Sequence, residues 1–519
     1  MIRSFLTVST GTLASRLLGF ARDSILAALL GAGPVADAFL AAFQLVNVAR
    51  RLLTEGGLNA ALVPAWLRVR DAQGGVAAAA FAGRVLGTIT VALIAATALL
   101  AVLMPFLITV LAPGFAGGAT LQLAVDDARL MLPYLAFAGP VTVLMSLLNA
   151  QGRFALTAFS PVLFNVALIA VMAVLLLRRQ DATDAAQIIA ATVGIAGLLQ
   201  LSVLLLRRGE AIAAPLRVSF DAEIRGFLAK AIPGMVASSA PQLLMIAGMI
   251  VASASPSAVS WLYFASRLIE LPLGIVGTAM GTVLIPELTR ALRGDDRAAA
   301  AYAESRGLEL AVGLALPAML GLMILSEPVV RLLFEHGAFT AADATATART
   351  LTWLALALPA HVLVKALSPA FFAREDTLTP LWATLKGGIL ALALAVLLGH
   401  FFGAAGIAAA IALGAWSTAL TLIRRGAETF GFSIDADARR RLPRMVAAAL
   451  AMGALLWLKA RFVLPLAADA HGLAQAAVLA ILIVGGIAIY GLFLRLFGIT
   501  GWREAINALR QKAPGGLRE

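Results

Sequence analysis

The chain has no cysteine and four histidines among 519 residues. It therefore offers no disulfide framework, thiol nucleophile or Cys-ligated metal, and the scattered histidines give no metal-ligand spacing. Charge is scarce too: 13% of residues are Asp, Glu, Lys or Arg, against about 25% in soluble domains. Apolar residues make up 61%, with a mean hydropathy of +0.94. No single water-soluble core can hide that much apolar surface. Apolar runs recur from end to end, each near the roughly 20 residues that cross a hydrocarbon core. These features indicate an all-α polytopic membrane protein with no soluble domain, no cofactor and no metal. The first run, Phe5 to Leu30, contains Arg16, Arg22 and Asp23, so it reads as a retained helix and not a cleaved leader.

About fourteen spans are expected, roughly at 5–30, 36–64, 85–111, 129–150, 157–177, 186–206, 226–252, 257–288, 307–326, 345–372, 377–402, 404–423, 445–464 and 473–497. Alternate connections are rich in arginine, among them Arg68, Arg70 and Arg84, Arg207 and Arg208, and Arg439, Arg440, Arg441 and Arg444. The other connections hold Asp126, Asp127, Glu327 and Glu335. The positive-inside rule places both termini in the cytoplasm, which needs an even number of spans. The net charge of +12 is thus a matter of topology, and nucleic acid is not an expected partner.

Weak self-similarity at an offset of about 220 residues pairs ARLMLPYLAF from Ala128 with ARTLTWLALA from Ala348, and repeated halves are common in transporters. An even number of spans per copy gives two six-helix lobes in the same orientation around a central cavity. The expected organisation is an N-lobe at 1–215, a C-lobe at 216–430, and two further helices with a tail at 431–519.

Charges inside the apolar runs carry the functional signal. An ionised side chain near the bilayer centre costs about 2.5–3.5 kcal/mol on insertion scales, so it faces a cavity or a partner. The first span holds Arg16, Arg22 and Asp23; Arg16 and Asp23 share a face, and a bend at Gly19 would bring Arg22 to the same cavity. The second begins near Asp37 and carries Asn47, Arg50, Arg51 and Glu55, a polar stripe at helical spacing. The eighth holds Arg267 and Glu270, three apart. Structural ion pairs, Arg51 with Glu55 or Arg267 with Glu270, are the bland alternative. They do not account for a cation excess in matching helices. Guanidinium grips phosphate or carboxylate with two parallel hydrogen bonds, which points to transport of an anionic, phosphate-bearing ligand. Lys365 is a weaker candidate near a helix end.

Four blocks closely resemble the MurJ (MviN) family: SRLLGFARD from Ser15, DAFLAAFQLVNVARRLLTEGGLNAALVP from Asp37, RLIELPLGIVGTAMGTVLIPEL from Arg267 and KALSPAFFAREDTLTP from Lys365. That family comprises lipid II flippases of peptidoglycan synthesis, within the multidrug/oligosaccharidyl-lipid/polysaccharide exporter superfamily. The resemblance implies that Arg16, Arg22, Arg50 and Arg267 are cavity arginines and that Asp37 and Glu270 are functional acids. Asn47 and Arg51 transfer more weakly as ligand contacts, as do Asp23 and Glu55 as gating acids; Lys365, Arg374 and Asp376 lie in the fourth block. Ser266 stands where relatives often carry an acid. The implied ligand is lipid II, an undecaprenyl-diphosphate-linked disaccharide-pentapeptide, with cell-wall synthesis proteins as further partners.

The expected mechanism is alternating access, with membrane potential favouring outward passage of an anionic head by about 2.3 kcal/mol per charge per 100 mV. A drug/cation antiporter of the same superfamily would need acids to dominate the cavity. A membrane-embedded transferase would need paired carboxylates; Asp126 and Asp127 are the nearest pair, on what reads as a solvated outer turn. The chain is therefore expected to be a transporter and not an enzyme.

Overall fold

The computed structural model describes residues 2–54, 57–206, 213, 215–238, 242–279, 297–372, 374, 376, 378–431, 435–466 and 472–499. Among them the regular structure is helical: α1 (Ile2–Leu30), α2 (Pro34–Thr54), α3 (Gly57–Leu111), α4 (Ala119–Met131), α5 (Pro133–Ala150), α6 (Phe154–Arg178), α7 (Ala182–Leu206), α8 (Ala222–Ser238), α9 (Gln242–Ala252), α10 (Ala258–Ala279), α11 (Arg297–Ile324), α12 (Ser326–Phe334), α13 (Ala341–Ala355), α14 (Ala357–Phe372), α15 (Leu378–Phe430), α16 (Ala436–Leu466) and α17 (Leu473–Leu496). Nine helices among the described residues are long and apolar enough to cross a membrane, or ten if α13 and α14, bent by 42°, form one span. The chain is an all-α polytopic membrane protein.

Two of the longest helices are really pairs. Over its 53 residues α15 would extend about 80 Å at 1.5 Å per residue, more than twice a hydrocarbon core. It breaks at Gly403 (φ 57°, ψ −140°). A Cβ on Gly406 would fall 2.1 Å from the Leu398 carbonyl oxygen, and one on Gly399 3.0 Å from the Ile407 side chain. The two segments therefore double back on each other, as the expected spans 377–402 and 404–423 require. In α3 the break is at Gly74 (φ 85°, ψ 176°). Leu58, Leu62 and Trp66 before it join Phe81 and Val85 after it in one buried cluster with Val143, Leu147 and Phe227. The connection expected between residues 64 and 85 is thus helical up to Gly74 and again beyond it.

The connection before the expected fourth span is also shorter than expected. A single 3-10 turn at Pro113–Phe115 leads to α4, so Asp126 and Asp127 are helical and Asp127 is buried. This corrects the reading of that pair as a solvated turn. α4 and α5 meet at a break at Leu132, and α13 and α14 at Leu356, so both halves of the sequence carry a broken helix near the repeat offset.

The chain forms two compact units, Met1–Arg267 with Leu333–Thr350 and Gly388–Ile411, and Leu268–Leu332 with Leu351–Gly387 and Ala412–Glu519. In the first, α1 lies so close to α6 that a Cβ on Gly11 would fall 2.7 Å from the Ala158 carbonyl oxygen. The end of α1 meets the turn after α12: the Ala338 amide donates to the Ala28 carbonyl at 2.8 Å. Gly31 (φ +65°) and Gly337 (φ +58°) make this approach possible, since a Cβ on either would sit within 2.6 Å and 2.4 Å of the opposing carbonyl oxygens. In the second unit, Leu325, Leu456, Ala460, Leu479 and Leu482 pack α16 and α17 on the end of α11. The Arg374 guanidinium lies 3.8 Å from the Phe430 ring centre.

Gly31→Ala is expected to lower the melting temperature of the detergent-solubilised protein, corresponding to about 1–3 kcal/mol of left-handed strain. Gly33→Ala, where a Cβ meets nothing within 4 Å, should change it by less than about 0.5 kcal/mol. Equal melting temperatures for the two variants would contradict the close approach.

Candidate functional site

The charges of the first span are organised around one carboxylate. Asp23, 2% exposed, accepts from Arg22 through Nη2 at 2.7 Å and Nε at 2.9 Å, both on Oδ1. Its Oδ2 lies 3.1 Å from Nε of Arg267. Tyr263, one turn before Arg267 on α10, donates its hydroxyl to Asp23 Oδ1 at 3.3 Å and accepts from Arg267 Nη2 at 2.9 Å. Arg22 Nη1 donates to Asn165 Oδ1 at 3.1 Å, and the Asn165 amide nitrogen in turn donates to the Ser15 carbonyl at 3.1 Å. Rings flank both cations: Phe43 lies 5.3 Å from the Arg22 guanidinium and Tyr263 4.9 Å from that of Arg267.

Two guanidiniums thus share one carboxylate. Arg16, about 9 Å further down α1 at 1.5 Å per residue, is half-buried, and no hydrogen bond or ion pair joins it to another described residue. α1 runs through Gly19 as one helix, so Arg16 and Arg22 stay on different faces, and the expected bend is not what organises them. Arg267 reaches Asp23 here, a partner that the spacing did not suggest. Beside the cluster, Leu40, Gln44, Met245, Met249, Val259, Leu262, Tyr263 and Ser266 line a small, mostly apolar pocket. The Ser266 hydroxyl donates to the Tyr263 carbonyl at 2.7 Å.

Asp37 has a different task. Its carboxylate accepts from the amides of Ser257 (2.8 Å) and Ser260 (2.9 Å) and from the Ser260 hydroxyl (2.5 Å). These are the free donors at the start of α10, where a negative charge also meets the positive end of the helix dipole. Asp37 on α2 thus caps another helix.

The remaining candidates are more dispersed. Arg50 is half-buried and donates through Nε to Asn47 Oδ1 at 3.4 Å. Arg51 on α2 and Glu270 on α10 are half-buried, and Lys365 on α14 is exposed. Glu55 lies outside the described residues. Arg374 and Asp376 serve the turn between α14 and α15. Arg374 bonds the Ala370 carbonyl at 2.8 Å and Glu304 at 3.4 Å, while Asp376 accepts the Thr379 amide at 2.9 Å. The sequence reading missed Asn165, Tyr263 and Phe43. Asn165 was visible as a lone amide in an apolar run, and Tyr263 as the residue four before Arg267.

Comparison with known proteins follows the same lines. The family model for "Lipid II flippase MurJ" matches residues 26–471. A "Probable lipid II flippase MurJ" of Rhizobium meliloti is 38% identical over 99% of this chain and 97% of its own length. The "Lipid II flippase MurJ" of Burkholderia cenocepacia is 32% identical over 81% and 83%. Among solved structures, a lipid II flippase MurJ in an inward closed conformation superposes with a TM-score of 0.77 at 22% identity, covering 96% of this chain and all of that one. An inward-facing multidrug MATE transporter of the MOP superfamily superposes at 0.67 and 16% identity, covering 85% and 98%. At those identities the structural likeness concerns the fold.

Removing one partner of a buried ion pair strands the other charge at a cost of about 3–5 kcal/mol. Asp23→Ala is therefore expected to destabilise the protein more than Arg267→Ala, because it removes an ion-pair partner from two guanidiniums, whereas Arg267→Ala leaves the Arg22–Asp23 pair intact. Melting temperatures of both single variants and of the double variant check this; strictly additive effects would mean that the pair does not interact.

Proposed function

Since the chain belongs to the lipid II flippase MurJ family, a family of transporters and not enzymes, it is a multi-pass membrane protein that flips lipid II, and we propose that it does so by alternating access around its buried arginines. The observation that carries the mechanism is the buried carboxylate of Asp23 shared by Arg22 and Arg267, with Arg16 joined to no other described residue by a hydrogen bond or ion pair. Guanidiniums held in place in this way can each offer a diphosphate two parallel hydrogen bonds. Arg50, with its amide neighbour Asn47, supplies a further cation, and Arg51, Glu55 and Glu270 stand near these groups in sequence.

Charge bias in the connections puts the termini in the cytoplasm and the α1–α2 turn, the Ala254–Ser257 turn and the turn after α12 on the outer side of the bacterial inner membrane. Those three turns are joined by Asp37 to α10, by Ala28 to Ala338, and by the Ser257 hydroxyl to the Ala32 carbonyl. In this reading the outer side is latched, the substrate head enters from the cytoplasmic side, and the latch parts to release it. The lobes 1–215 and 216–430 are the rocking bodies, and the helices of 431–519 lie outside them. The polyprenyl chain stays in lipid and needs no polar path. An inside-negative potential assists the anionic head outward and resets the cationic site.

Complementation of a flippase-depleted strain with Arg16→Ala, Arg50→Ala or Arg267→Ala is expected to fail, with lipid II accumulating in the inner leaflet. Normal growth with all three would overturn the assignment. Asp37→Ala should expose engineered thiols at the outer turns to an impermeant reagent faster than in the parent chain, which has no cysteine of its own; unchanged labelling would remove the latch.

A further inference from the structure

Asp127 is a buried carboxyl group that the cation site does not use. It lies on α4, 2% exposed, eight residues past Ala119 and so about 12 Å along the helix from its outer end. Its neighbour Asp126 accepts from Gln122 at 2.9 Å, but no hydrogen-bond donor or cation among the described residues reaches Asp127.

The helices packed against α4 explain why. They are α2, α7, α3 and α5, with the turn Pro113–Phe115. On α2 the ionisable groups are Asp37 at one end and Arg50 and Arg51 at the other; on α7 there is Asp184 in the first turn and none after it. α3 carries Arg68, Arg70 and Asp71 before Gly74 and Arg84 after it, then none to Leu111; α5 carries Tyr134, and the turn carries nothing ionisable. On α4 itself, Arg129 is exposed and donates to the Ala101 carbonyl at 3.1 Å. Small residues close the packing: a Cβ on Gly194 of α7 would sit 2.4 Å from the Leu130 carbonyl oxygen.

A carboxylate so placed keeps little contact with water and gains no partner among the described residues, an arrangement that disfavours the charge. A metal ion is a poor answer. Hard cations take six or more oxygens, and no group of three or more His, Cys, Asp or Glu side chains among the described residues could hold a metal. The smallest cation needs one oxygen. The geometry points to Asp127 as a proton-binding site: its carboxyl group is protonated while α2, α4 and α7 are packed as here, and ionises, releasing H+ to the outer water, when that packing opens. No electron moves and no other bond changes. Because α2 also carries the Asp37 cap of α10, opening the latch and unpacking Asp127 would be parts of one movement, making the cycle proton-linked as well as voltage-assisted. This step rests on the alternating-access reading; the resting protonation does not.

The test uses the full chain in lipid nanodiscs without substrate, so that it stands apart from lipid II transport. Infrared difference spectra near neutral pH should show a protonated-carboxyl carbonyl band that shifts in D2O and is absent from Asp127→Asn, with Asp127→Ser as a second variant should the first fold poorly. Thermal stability supplies an independent readout. Raising the pH from about 5 to about 9 crosses the range in which a carboxyl group free in the unfolded chain is ionised. A group that keeps its proton only when folded loses stability as pH rises, so the wild type should fall relative to Asp127→Asn. Identical spectra, or parallel stability profiles, would overturn the proposal.

Discussion

Everything in the cation site depends on a charge in a low-dielectric interior being answered by another charge or by a dense set of hydrogen bonds. Asp23 meets that condition for two guanidiniums at once. Its Oδ1 serves Arg22 and its Oδ2 serves Arg267, while Tyr263 touches both the carboxylate and the second guanidinium. Asn165 then fixes the register of α1 against α6 by bridging Arg22 and the Ser15 carbonyl. The close approach at Gly11, where any side chain would strike Ala158, makes that bridge reachable. Local packing and long-range electrostatics therefore specify the same alignment.

α10 is held at two heights by different means. At its start, Asp37 satisfies the backbone donors of Ser257 and Ser260; ten residues on, about 15 Å along the helix, Arg267 is tied to Asp23. The helix cap and the cation cluster are in this way joined through one helix.

Much of this was legible in the sequence because membranes make charge rare. Arg16, Arg22, Asp23, Asp37 and Arg267 stood out as charges in apolar runs, and the hairpin in α15 was marked by Gly403. What was not legible came from geometry that spacing cannot convey. Arg267 and Glu270 are three apart, yet Arg267 pairs with Asp23, more than 240 residues away in sequence. Asp37 read as a functional acid; that it also caps a helix start depends on where Ser257 lies in space. Asp126 and Asp127 resembled a solvated turn because two adjacent acids beside a Pro/Gly-rich segment usually are one; here α4 begins early enough to bury the second. Neutral partners were hardest to see, since Asn165 and Phe43 carry no charge to betray them.

The likeness to multidrug MATE transporters shows that this fold does not by itself choose a cargo. The choice falls to the sign of the charge left over once internal pairs are counted. A site in which acids outnumbered bases would hold an organic cation. In the first unit of this chain Asp23 is shared by two arginines, Arg16 has no counter-ion among the described residues, and Asp37 is engaged with the start of a helix. Replacing Asp23 by a neutral residue would not simply make the site more cationic. It would also remove the centre that holds the two guanidiniums apart and at fixed heights, so a diphosphate would meet mobile charges in place of an organised pair. Preorganisation, and not the count of positive charges alone, is what the single buried carboxylate contributes.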